Sequence, residues 1–152
     1  MGGKLVKMPI DMEEFQGKID EALGDSVTSI PGNISKQNAE IKAAIEKNGK
    51  YDAKINQKKK TKTVTLNKTS TATEIVSVAA EMAAGEIFRA TATETVWGTL
   101  EPEVQAQVDE AGVPFSGMVM KAAGKTIKKA INKSLKIAID KALEQLSAQE
   151  EA

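Results

Sequence analysis

The apolar positions of the chain change period as it advances, and each change predicts an element. Met12, Phe15, Ile19 and Leu23 recur at steps of three and four, the spacing of one helical face. Pro9 and Asp11 open this segment. Asp11 can cap it, Glu13 and Glu14 suit a positive helix end, and Gly24 reads as a stop, so a first helix is expected over 11–23. Residues 25–33, with Ser26, Ser29, Pro31 and Gly32, read as a loop. A second helix over 34–48 carries Ile34, Ile41, Ala44 and Ile45, and Gly49 ends it. The polar, basic stretch that follows is read as a frayed helical extension or a mobile loop, a basic loop of about 49–60. Over 61–68 the period falls to two: Val64 and Leu66 alternate with Thr63 and Thr65, which is a strand signal.

From Thr71 the helical period returns. Val76, Ala79, Ala80, Ala83 and Ile87 share one face of a helix expected over 72–88, apolar round most of its circumference and placed in the middle of the fold. Residues 89–97 are two-sided. Ala90 and Ala92 allow the helix to continue, but β-branched Thr91, Thr93 and Thr95 favour a second Thr-rich strand ending at Trp97, and the strand is preferred. Gly98 then turns the chain, and Pro102 starts a short helix over 102–110 closed by Gly112. The longest periodic segment, 116–148, carries Ile127, Ile131, Leu135, Ala138, Ala142 and Leu146 as one stripe, with Lys125, Lys129, Lys133 and Lys136 opposite. The acidic tail 149–152 is expected to fray. The fold class is α+β and α-rich: four or five helices, a minor Thr-rich β element and a long C-terminal amphipathic helix, in a single domain over 1–148.

Composition narrows the chemistry. The chain of 152 residues contains neither Cys nor His. That removes thiol nucleophiles, disulfides, imidazole bases, Ser-His-Asp triads and the usual zinc and di-iron ligand sets. An oxygen-ligand site for Mg²⁺ or Ca²⁺ is compatible with the composition, but no EF-hand spacing is present. The expectation is no catalytic, cofactor or metal site. No apolar stretch reaches the length of a membrane span, and the first residues show no signal-peptide core.

Gly124-Lys125-Thr126 resembles the end of a phosphate-binding loop, yet Val119 stands where that motif needs its first Gly. The plainer reading is small residues and a Lys early in a helix. Glu74 and Glu81 share a helix face and read as partners for Lys on a neighbour rather than as a catalytic pair.

Charge is balanced at 21 basic and 21 acidic residues but segregated. Residues 47–68 hold eight Lys against Asp52 alone, net +7, and residues 69–112 hold eight acids against Arg89, net −7. Either adjacent blocks neutralise one another within one fold, or opposite faces of different subunits meet. Lys58, Lys59 and Lys60 form the densest basic run and are candidates for a partner contact. Trp97, read as exposed in the acidic stretch, is a candidate receptor on a neighbouring copy. Ile131 and Leu135 of the C-terminal stripe are candidates for core or subunit packing.

The Thr-rich runs TKTVTLNKTSTATE and RATATETVWGTLE, the absence of Cys and His, and the long Lys/Ala helix resemble, in style, small structural proteins of tailed bacteriophages. The resemblance covers most of the chain, rests on no motif and transfers no functional residue. It implies a virion subunit: a head–tail, tail or minor capsid component, located in the virion or the host cytoplasm. The function expected is thus a non-enzymatic assembly subunit whose partners are itself or other structural proteins. The alternative is a nucleic-acid-associated protein using Lys54–Lys68.

Overall fold

The computed structural model describes residues 10–151 of the chain; Pro9 lies outside them. Helix α1 spans Met12–Asn48, strand β1 Lys50–Asn56, strand β2 Thr61–Asn67, and helices α2, α3 and α4 span Ala72–Ala84, Glu86–Ala111 and Ser116–Glu151. The helix-rich chain with a small sheet is as expected. The helix number is corrected: α2 and α3 are separated by Gly85 alone, so the helical segments make three rods rather than four or five.

Contacts along the rods fix their directions. The Lys18 ammonium meets the Glu103 carboxylate, linking the start of α1 to the end of α3. Lys128 meets Glu94 at 3.1 Å, linking the start of α4 to the middle of α3. Gln16 Nε2 donates to Ser134 Oγ at 3.0 Å, linking α1 to α4. Along α3 the partners on α4 fall in number, Lys128 at Glu94 and Gly124 at Trp97, and along α1 they fall from Glu103 at Lys18 to Gly85 and Phe88 beside Gln37, so the α2–α3 rod runs antiparallel to α1 and α4, and α1 and α4 run parallel.

The core is a continuous spine. Phe15, Ile19, Leu23, Ile30, Ile34 and Ile41 of α1 meet Val104 and Val108 of α3 and Ile127, Ile131 and Leu135 of α4, all at 2 % exposure or less. Each such Ile, Leu or Phe removed from water contributes about 1.5–3 kcal/mol. The stripes on α1 and α4 advance mainly in steps of four, slightly longer than a helical turn.

This spine explains why the expected loop at 25–33 is helix. Leu23 and Ile30 are buried on one line with half-buried Val27 between them, so an interruption would remove that line from the core. Pro31 sits inside α1 and withdraws one backbone donor. Thr28 Oγ1 donates to the Gly24 carbonyl at 2.7 Å and Ser29 Oγ to the Ser26 carbonyl at 2.9 Å, so the polar side chains bond to the helix carbonyls instead of opening a turn. The ends follow the sequence. Asp11 Oδ1 accepts from the Glu13 amide at 3.0 Å, and Gly49, at φ 80°, donates its amide to the Ile45 carbonyl as a left-handed cap.

The preferred strand at 89–97 is also corrected to helix, and Pro102 lies within α3. Strand alternation would have put Glu94 on the same side as Ala92 and Val96. Helical spacing instead buries Ala92, Val96 and Leu100 and leaves Glu94 exposed. Tertiary burial outweighs the β preference of the threonines. The break expected after residue 88 comes at Gly85, where an added Cβ would lie 2.1 Å from the Glu81 carbonyl oxygen.

The basic loop expected at 49–60 is mostly strand β1. It pairs antiparallel with β2 in the register Tyr51↔Leu66, Ala53↔Val64 and Ile55↔Lys62. Ala53, Ile55 and Leu66 are buried, and β1 packs on α1 and α2. Three apolar residues at alternate positions suffice to seat a hairpin whose other face is polar.

Candidate interaction surfaces

Lys58, Lys59 and Lys60 occupy the hairpin tip. The tip is closed by the Gln57 amide donating to the Lys60 carbonyl at 2.9 Å, and all three lysines are exposed. The tip folds back along the bundle. Lys58 lies at the edge of a cleft of about 610 Å³ with Glu86, Arg89 and Glu94 of α3 and Asn132 of α4. The basic and acidic blocks are thus neighbours in the fold, and Glu94 and Glu103 already meet lysines of their own chain. The acidic stretch proposed as a receptor for another copy's lysines is partly neutralised from within.

Trp97 is a correction. It is buried at 8 % exposure, so it presents no receptor surface. Its indole packs on Gly124 of α4, where an added Cβ would stand 3.2 Å from the ring. Gly124-Lys125-Thr126 lies inside α4, and Thr126 Oγ1 donates to the Ala122 carbonyl at 3.1 Å, so the tripeptide serves helix packing and forms no loop around an anion. Ile131 and Leu135 are fully buried within the bundle; they belong to its core and are unavailable to a partner. Among the described residues no group of acidic side chains is arranged to hold a metal ion, and no helix is long and apolar enough to cross a membrane.

Two surfaces escaped sequence reasoning. The first is a groove of about 860 Å³ between the parallel helices α1 and α4. Small residues open it: Gly24 and Thr28 on α1, Ala130, Ser134 and Ala138 on α4. Ile137 stands in it at 48 % exposure. A signal was present in the sequence: Ile137 falls outside the α4 stripe that contains Ile131, Leu135 and Ala138. The rims differ in sign, with exposed Asp20 on α1 and exposed Lys133 and Lys141 on α4.

The second surface is the α3–α4 turn. Phe115, at φ 58°, is 78 % exposed and Met118 is 71 % exposed. A left-handed backbone is uncommon for a bulky residue. It is held here by the Met118 and Val119 amides, which donate to the Phe115 carbonyl at 2.9 and 3.1 Å.

Compared with protein-family models, curated proteins and solved structures, the chain has no match in any of the three.

Proposed function

We propose that this chain is a non-enzymatic assembly subunit that works through protein–protein contacts. One observation carries the reading: after the core is packed, large apolar side chains remain on the surface at three places among the described residues, Ile137 in the α1/α4 groove, Phe115 with Met118 at the α3–α4 turn, and Ile87 at the start of α3. Apolar surface gathered in a groove with charged rims is the composition of a contact site. The likeness in style to small structural proteins of tailed bacteriophages favours a virion component as the setting.

The test is the native mass of the assembly that contains the chain. A particle well above the 16.2 kDa of one chain is expected. Replacing Phe115, Met118 and Ile137 together with Ser should release the chain as a folded monomer. A monomer under all conditions, with no particle in its native source, contradicts the reading.

The runner-up is nucleic-acid association through the tip. The exposure of Lys58, Lys59 and Lys60 favours it, and Lys54 and Lys62 extend the patch along the hairpin. It predicts sequence-independent duplex binding that weakens steeply with salt and is abolished by changing the three tip lysines to Gln. The single Arg and the buried Trp97 leave little for base readout or stacking.

A further inference from the structure

We infer that the α1/α4 groove is closed by the same groove of a second copy, in a two-fold dimer whose axis runs along the helices. The inference rests on the assembly reading and names the partner and its geometry.

Charge selects the arrangement. A two-fold axis across the groove would lay α1 on α1 and α4 on α4. The Asp20 rims would then meet each other, as would the Lys133 and Lys141 rims. An axis along the groove lays each α1 on the partner's α4, so both acidic rims face basic rims. Level is set by the groove's lining, in which Gln16 to Pro31 of α1 face Ala130 to Gln145 of α4. Parallel helices rise equally along it, so Asp20 stands level with Ser134, beside Lys133, and Gly24 level with Ala138. Because a two-fold along the helices preserves height, the same levels apply across the dimer. Asp20 therefore falls beside the opposing Lys133, and the exposed Ile137 comes down near the opposing Gly24, which has no side chain to obstruct it.

The size is adequate. The groove is lined from Gln16 to Pro31 on α1 and from Ala130 to Gln145 on α4. Each stretch is about 24 Å long at a helical rise of ~1.5 Å per residue. Two helices spaced by ~10 Å give a face of about 500 Å² per copy. That reaches the lower bound of roughly 1,000 Å² in total for a specific interface, so a reversible dimer is expected rather than a permanent one.

The experiment uses full-length chains in sedimentation equilibrium. Three samples are compared: the unmodified protein, Asp20→Lys, and Lys133→Asp combined with Lys141→Asp. These positions are exposed, and circular dichroism checks that each variant keeps its fold. The unmodified chain should dimerise, and more weakly at high salt. Each variant alone should dimerise about tenfold more weakly or worse, because like charges then oppose one another. Mixing the two variants in equal amounts should restore dimerisation, as both rims again meet opposite charge.

Variants that self-associate as well as the unmodified chain overturn the arrangement. So does an unmodified chain that stays monomeric while the native particle still contains it; that result leaves the assembly reading standing. A monomer with no native particle removes both.

Discussion

Helix α1 borders two grooves, and the chain treats them differently. Toward α2, the β1–β2 hairpin lies over the bundle and buries Ala53, Ile55 and Leu66. Toward α4, no element among the described residues intervenes, and Ile137 is 48 % exposed among small residues with oppositely charged rims. The covered groove meets a strand pair whose inner face is apolar and whose outer face is polar, so it is finished within one chain. The open groove keeps apolar surface that the fold itself does not need. A three-rod bundle thus shows which of its faces is structural and which is available for assembly.

The strongest blow to both grooves is a change in the spine they share. Leu135 is fully buried, so Leu135→Ala should lower stability by about 2–5 kcal/mol, and Leu135→Asp should prevent folding. Chemical denaturation measures the first, and circular dichroism the second. Native stability for both would place Leu135 outside the core.

Next in size is the covered groove alone. Ile55→Ala removes most of the hairpin's largest anchor on β1 and should cost about 2–4 kcal/mol while leaving dimerisation unchanged at temperatures where the fold persists. A loss of dimer with the fold retained would show that the two grooves are coupled. Gly85→Ala acts on the rod that both grooves depend on for alignment. Its Cβ would meet the Glu81 carbonyl at 2.1 Å, so a cost of about 1–3 kcal/mol is expected in the same denaturation assay. The open groove should respond in the opposite way. Ile137→Lys changes an exposed side chain, so stability should move by less than about 0.5 kcal/mol while dimerisation is lost.

The elements legible in the sequence were those where local pattern and tertiary need agree. Asp11 and Gly49 cap α1 as their residue types predict, Val64 and Leu66 mark β2, and the stripe of Ile127, Ile131 and Leu135 faces the core of α4. The misreadings lie where they disagree. Ser26, Ser29, Pro31 and Gly32 carry turn chemistry, yet the buried line through Leu23 and Ile30 keeps them helical. The threonines at 91, 93 and 95 prefer a pleated surface, yet Val96, Trp97 and Leu100 can be buried together only on a helix. The first strand was missed although Tyr51, Ala53 and Ile55 alternate with Lys50, Asp52, Lys54 and Asn56, because the dense charge of the surrounding stretch outweighed that short period of two. Burial of Trp97 depends on Gly124 arriving from another rod, a long-range pairing that no local window contains. The groove was only partly legible: Ile137 off its stripe was visible, but its neighbours on α1 come from more than a hundred residues away.

The absence of cysteine permits a direct measurement of the proposed dimer, since an introduced cysteine carries the only spin label. Labels placed singly at Lys129, Lys136 and Glu144, exposed positions spread along α4, report the distance between equivalent sites in the two copies by pulsed electron resonance. A two-fold axis along the helices predicts nearly the same inter-copy distance at all three heights. A distance that grows from the middle label toward the ends would place the axis across the groove, and the absence of any inter-copy signal would leave the groove without a second copy; either result contradicts the account.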